Sequence, residues 1–181
     1  MRLVILDRDG VINHDSDEFI KSLDEWIAIP GSLEAIARLN RHGYCVVVAT
    51  NQSGLARGLF DLDTLNRIHE KMHLELSDVG GYIDMVLFCP HGPDDGCECR
   101  KPRPGMIKEI ASRLDMSFQG VWLVGDSLRD LQAAQAAGVA PILVRTGKGE
   151  RTLEKNEGLE GVPVYDDLAM VVDVLLNGEA A

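Results

Sequence analysis

Two aspartates stand two residues apart, Asp7 and Asp9, directly after the apolar run 3–6. Side chains at i and i+2 of an extended segment project to the same side. Two carboxylates held side by side repel unless a cation or a proton lies between them. A hard-oxygen metal site, best suited to Mg²⁺, resolves that repulsion. Gly10 then lets the backbone turn away. Three further places carry polar residues that a core does not need. Thr50 and Asn51 end the apolar run 44–49, Asp126 ends the run 121–124, and Arg100 and Lys101 precede a helix start marked by Pro104. Acids, a hydroxyl and a cation brought to one rim make a phosphoryl-transfer constellation.

In that constellation Asp7 would attack phosphorus and carry it as an acyl phosphate, as carboxylate nucleophiles do. Asp9 would protonate the leaving alkoxide and then deprotonate the hydrolytic water. Asp126 would help Asp7 hold the metal, which offsets repulsion between a carboxylate and a phosphate dianion. Thr50 and Lys101 would meet the non-bridging oxygens. Asn13, Asp15, Asn51, Gln52, Ser53, Arg100 and Ser127 surround these positions and are the candidate substrate contacts. Ser127-Leu128-Arg129-Asp130 also matches a helix capping box, so Asp130 is divided between the helix and the metal. Arg129 reads as a solvated helix residue, and His14, His42, His69 and His73 read as surface or structural.

A second cluster lies in the loop 89–99. Cys89, His91, Cys97 and Cys99 offer three thiols and an imidazole within eleven residues. That donor set suits tetrahedral Zn²⁺, and four protein ligands leave no open position, so the metal would be structural. Arg100 and Lys101 follow Cys99 directly, so the ion would pin the loop that presents them. Cys45, inside an apolar run, reads as a small buried thiol.

The elements that must position these residues follow from periodicity. The runs 3–6, 44–49, 84–88, 121–124, 141–144 and 162–165 read as strands, the first of them without polar alternation, as in parallel strands buried on both faces. Between them, apolar residues at helical spacing predict helices from Ser32 (as N-cap), from about Asp63, behind Pro104, from Leu128 to near Gly138, and through Leu168 to Leu175. Strands alternating with helices imply an α/β fold, a doubly wound parallel sheet with ligands at its carboxyl edge. Residues 14–26 read as a loop or flap over the site, and residues 145–161 as a glycine-rich, charged, mobile segment.

Length and composition set the outer limits. With 181 residues the chain is expected to be one domain, 1–181, with a core that needs no disulfides. A net charge of −11 argues against non-specific binding to nucleic acid or an anionic membrane. No apolar run approaches the ~20 residues of a spanning helix, and the first residues lack a signal peptide's basic start. The expectation is a cytoplasmic, monomeric protein acting on a small metabolite.

Asp7-Arg8-Asp9-Gly10-Val11, Thr50-Asn51-Gln52-Ser53-Gly54, Lys101-Pro102 and Gly125-Asp126 resemble, in order, the four motifs of the haloacid dehalogenase superfamily of phosphatases. The resemblance spans residues 3–144. Within that family, residues 7–13 together with the cysteine loop are similar to the heptose bisphosphate phosphatases, and the histidinol-phosphatase domain shares these features. The resemblance implies a capless Rossmann-like core, and Mg²⁺ held by Asp7, the Asp9 backbone carbonyl and Asp126. It also implies a zinc loop, recognition of a phosphorylated sugar by Arg100, and a role in making the heptose precursor of lipopolysaccharide. The chain leaves no room for the dehydratase domain that often accompanies histidinol phosphatase, which favours the heptose. A phospho-accepting receiver domain, the rival that is not an enzyme, needs neither the second aspartate nor a zinc loop.

Overall fold

The computed structural model describes residues 2–178. Six parallel strands form one sheet: β1 (Arg2–Leu6), β2 (Tyr44–Asn51), β3 (Met85–Cys89), β4 (Trp122–Gly125), β5 (Ala140–Val144) and β6 (Val164–Tyr165). Their order is β3-β2-β1-β4-β5-β6. The chain builds outward from β1 in one direction, then returns and builds outward in the other. The reversal falls between β1 and β4, where open α/β sheets form a crevice beyond the strand ends.

Six helices connect and flank the strands: α1 (Ser32–Arg41), α2 (Leu62–Asp78), α3 (Gly105–Leu114), α4 (Leu128–Ala137), α5 (Gly149–Lys155) and α6 (Leu168–Asn177). Alternate strand residues feed two separate cores. Val4, Leu6, Val46 and Val48 pack with α1, α2 and α6 on one face. Leu3, Ile5, Val47 and Ala49 pack with α3 and α4 on the other. Because both faces are covered, β1 and β2 carry no polar alternation. Each fully buried aliphatic side chain there contributes roughly 1.5–3 kcal/mol relative to exposure. No helix among the described residues is long and apolar enough to cross a membrane.

Three local expectations are corrected. Gly31, at φ 85°, takes the cap position of α1, and Ser32 is the first helical residue. The Ser32 hydroxyl instead donates to the Val11 carbonyl at 2.8 Å, satisfying a buried acceptor in the turn after β1. Pro104 likewise sits at the cap of α3 rather than in its first turn. The third correction concerns residues 145–161, which contain α5 and are tied to the turns that follow β1 and β4. Thr146 Oγ1 donates to the Gly10 carbonyl at 2.6 Å, and Thr152 Oγ1 to the Asp126 carbonyl at 2.9 Å. Gly147 is there for close approach: a Cβ on it would stand 2.5 Å from Gly10 Cα. Residues 14–26 do form a loop, pinned by buried Ile20 and Trp26.

Candidate active site and metal centres

Five strand ends meet over the reversal point. β1 delivers Asp7 and Asp9, β2 ends on Thr50 and Asn51, and β4 delivers Asp126. β3 leads into the cysteine loop and Lys101, and β5 into Thr146, Gly147 and Lys148. They enclose a cavity of about 320 Å³ lined by Asp7, Asp9, Thr50, Lys101, Asp126 and Lys148, with Asp15, Asp17 and Phe19 from the flap.

Lys101 lies at the floor of the site, its side chain 1% exposed. Its ammonium stands 2.6 Å from Asp130 Oδ1 and 3.0 Å from Asp7 Oδ1, and donates to the Ala49 carbonyl at 2.7 Å. Burial alone would favour the neutral amine, but the two carboxylates hold its pKa above the usual value. Asp130, against the cost of burial, is held low by Lys101 and by Ser127. Its Oδ2 accepts from the Ser127 amide at 3.0 Å and the Ser127 hydroxyl at 2.7 Å, so the capping box exists. Asp130 therefore caps α4 with one oxygen and anchors Lys101 with the other.

Asp7 and Asp126 are less well compensated. Each offers an oxygen within 4.8 Å of the other and of Asp130. Burial first, then the surrounding carboxylates, push Asp7 up to about 7 and Asp126 up to about 8, even with Lys101 beside Asp7. Three acids facing one ammonium form a hard-oxygen set that a divalent cation fits. The arrangement is rigid. Asp126 Oδ2 accepts the Lys148 amide at 2.7 Å, and it lies where a Cβ on Gly10 or Gly147 would fall.

The Asp9 side chain points elsewhere. Its Oδ1 accepts from Arg8 Nε and from Asn13 Nδ2, both at 2.9 Å, and its Oδ2 accepts from Gln52 Nε2 at 3.0 Å. Although burial opposes it, these partners, led by the Arg8 charge, hold its pKa below the ordinary value.

Several residues expected to touch substrate are bonded to the scaffold. Asn13 is fully buried and serves Asp9 and the His14 carbonyl. Gln52 spans Asp9 and Thr50 Oγ1. Asn51 closes a two-way clamp on the Lys101 backbone, both bonds 3.0 Å. Asn51 and Gln52 nevertheless line the cavity, together with Ser53, Arg100 and Ser127. Asp15 does so while paired with Lys148 at 2.6 Å. Arg129, read as a solvated helix residue, is exposed but also lines the cavity, as does Arg57. No sequence motif marks Lys148 or Arg57. Lys148 had one usable signal: it follows the end of a parallel strand, where ligand contacts gather.

The cysteine loop is assembled. Cys89 Sγ lies 3.2 Å from Cys99 Sγ and 3.6 Å from Cys97 Sγ, and His91 Nδ1 lies 3.3 Å from Cys99 Sγ. All four cysteines are free thiols. Three thiols and an imidazole around one point fit a tetrahedral metal ion better than four mutually hydrogen-bonded groups. Burial and contact with Cys99 push the Cys89 thiol up to about 12, so a cation is what would keep it ionised. The loop also grips the neighbouring cations: Arg100 NH1 donates to the His91 carbonyl at 3.3 Å, and Arg103 to the Cys97 carbonyl.

The chain resembles known proteins over nearly its whole length. A family model described as HAD-hydrolase-like matches residues 98–171. D-glycero-beta-D-manno-heptose-1,7-bisphosphate 7-phosphatase of Bordetella bronchiseptica is 62% identical, with 98% of this chain and 99% of that protein covered. The Pseudomonas putida protein of the same name is 53% identical, over 97% and 100%. Among solved structures, the B. bronchiseptica D,D-heptose 1,7-bisphosphate phosphatase complexed with magnesium and phosphate superposes with a TM-score of 0.97 at 62% identity, covering 98% of this chain and 99% of that one. The Burkholderia thailandensis D,D-heptose 1,7-bisphosphate phosphatase gives 0.78 at 50% identity, over 97% and 99%.

Proposed function

The chain belongs to the D-glycero-beta-D-manno-heptose-1,7-bisphosphate 7-phosphatase family of HAD-like hydrolases, and on that premise we propose that it removes the 7-phosphate of this sugar bisphosphate through an aspartyl-phosphate on Asp7. Such a reaction supplies a heptose phosphate for the lipopolysaccharide core. The names of its relatives favour this over histidinol phosphate hydrolysis and over a receiver domain. The observation that carries the mechanism is the division of labour between the two aspartates. Asp7 faces Lys101 and the acidic cluster, whereas Asp9 is held apart by Arg8, Asn13 and Gln52.

Asp7 Oδ1 is occupied by Lys101 and by the Arg8 amide at 2.8 Å, which leaves Oδ2 as the attacking oxygen. Lys101 neutralises charge on the transferred group, and Thr50 Oγ1 adds a hydroxyl donor. Asp9 Oδ2 takes up a proton as the anionic phosphate arrives beside it, gives that proton to the leaving alkoxide, and then takes one from the water that hydrolyses the acyl phosphate. Asp7, Asp126 and the Asp9 carbonyl would hold Mg²⁺. When bound, Mg²⁺ supplies positive charge that keeps the two carboxylates ionised and lowers repulsion toward the incoming dianion. Cys89, His91, Cys97 and Cys99 would hold a structural Zn²⁺ that fixes Arg100 for the phosphate not being transferred. The protein acts as one monomeric cytoplasmic domain carrying the zinc loop 89–99; its acidic surface supports a metabolite substrate over nucleic acid or membrane.

The test is turnover with Mg²⁺ against the heptose bisphosphate, histidinol phosphate and simple phosphate esters, in parent, Asp7→Asn and Asp9→Asn. The expected result is preference for the bisphosphate, loss of turnover in Asp7→Asn, and slow hydrolysis of accumulated phosphoenzyme in Asp9→Asn. Near-parent turnover by folded Asp7→Asn would overturn the covalent route.

A further inference from the structure

Behind Asp9 lies a buried relay that the phosphoryl chemistry does not itself touch. Arg8 is fully buried, with no cavity exposure to recruit it for substrate. Its Nε and NH2 reach the same oxygen, Asp9 Oδ1, at 2.9 and 2.8 Å. Its NH1 lies 3.1 Å from His69 Nε2, and His69, on α2, is itself buried. A guanidinium has no acceptor, so Nε2 must accept and the ring proton must sit on Nδ1. Burial and the adjacent Arg8 charge depress His69 to about 3, which keeps it a neutral acceptor. Its ring stands tilted beside Phe88, centroids 6.4 Å apart.

The arrangement is asymmetric about Asp9. Oδ1 carries Arg8 and Asn13, whereas Oδ2 carries only Gln52. Oδ1 is thus committed to the scaffold, and Oδ2 keeps a lone pair for proton transfer. An arginine fork on a single oxygen fixes the carboxylate plane only if the guanidinium cannot swing. The group that stops the swing is His69.

We propose that His69 is a positioning residue for phosphoryl transfer, acting through Arg8 to aim Asp9 Oδ2 at the leaving-group oxygen. This rests on the reading of Asp9 as the acid and base. A misaimed acid harms esters whose leaving group needs a proton and spares those whose leaving group departs as a stable anion. A residue that merely supports the fold harms both alike.

The experiment compares His69→Gln, which keeps an acceptor, and His69→Leu, which keeps bulk without one. For each, kcat/KM is measured with Mg²⁺ on an alkyl phosphate and on p-nitrophenyl phosphate. The ratio of the two values does not depend on the folded fraction, so partial unfolding leaves the test intact. In His69→Leu the alkyl value should fall about 10-fold, the loss of roughly one hydrogen bond's worth of alignment, about 1.4 kcal/mol. The aryl value should fall less than about 3-fold, and His69→Gln should recover most of the alkyl loss. Equal losses on both esters, or no loss on either, overturn the proposal. If parent protein hydrolyses both esters but Asp9→Asn shows no preferential loss on the alkyl ester, the reading of Asp9 fails instead.

Discussion

Replacing Lys101 by methionine removes one ammonium from a site where it faces Asp7 at 3.0 Å and Asp130 at 2.6 Å, with Asp126 in the same cluster. The volume is nearly kept, so what changes is charge. Breaking a buried ion pair from one side costs roughly 3–5 kcal/mol, because the remaining charge stays desolvated. For a chain of 181 residues each kcal/mol moves Tm by about 2–4 °C, so the loss should be about 10 °C at pH 8 without Mg²⁺. The sign of the pH dependence follows from Asp130. In the parent its pKa is depressed, so its contribution is present above the unfolded carboxylate value and disappears only in acid. Without Lys101 its pKa should rise, so the variant should lose stability as pH climbs from about 4, and the gap to the parent should close toward pH 5. Thermal melts at pH 5 and pH 8, with and without Mg²⁺, read all of this. Activity should fall at least ~10²-fold, the scale for removing one preorganised charge from a transition state. If Lys101→Met melted within about 2 °C of the parent at pH 8, the idea that Lys101 holds the acidic cluster together would be refuted.

The metal-free parent should itself lose stability between about pH 4 and pH 8, because Asp7 and Asp126 have pKa values raised to about 7 and about 8 and must ionise in place. Melts that stay flat across that range, or that added Mg²⁺ leaves unshifted, would contradict the carboxylate cluster. Elemental analysis should find about one Zn²⁺ per chain, and its removal should lower Tm and expose Cys89, Cys97 and Cys99 to alkylation; ready alkylation of untreated protein would argue against the site. Arg100→Ala should lower kcat/KM for the bisphosphate by ~10²-fold, a charge-assisted contact of about 2–3 kcal/mol, and generic phosphate esters much less. Equal losses would move Arg100 from recognition to the chemistry.

The strands and the cysteine loop were legible because their signals are local. A strand covered on both faces shows as an unbroken apolar run, and four metal donors within eleven residues need no fold to bring them near. Direction was not legible. Asn51 and Gln52 stand near the chemistry by their neighbours in the chain, yet what their amides bond depends on partners 50 and 43 residues away, Lys101 and Asp9. Residues 145–161 misled for a related reason. Glycine content reads as freedom, whereas Gly147 is small because Gly10 and Asp126 lie against it. His69 carries no pattern of its own, and only the return of α2 places it behind Arg8.

The tie between Thr146 and Gly10 spans 136 residues, and Asp126 is steadied by Lys148 and Thr152, which follow it in the chain. During synthesis Asp7 therefore emerges well over a hundred residues before the groups that set its companion carboxylate. The cysteine loop follows the opposite timetable, since its four donors, Cys89 to Cys99, emerge together. A chain halted after Cys99 would carry all four loop donors yet lack Asp126 and the groups that steady it. Commitment to phosphoryl chemistry thus waits on the fifth strand.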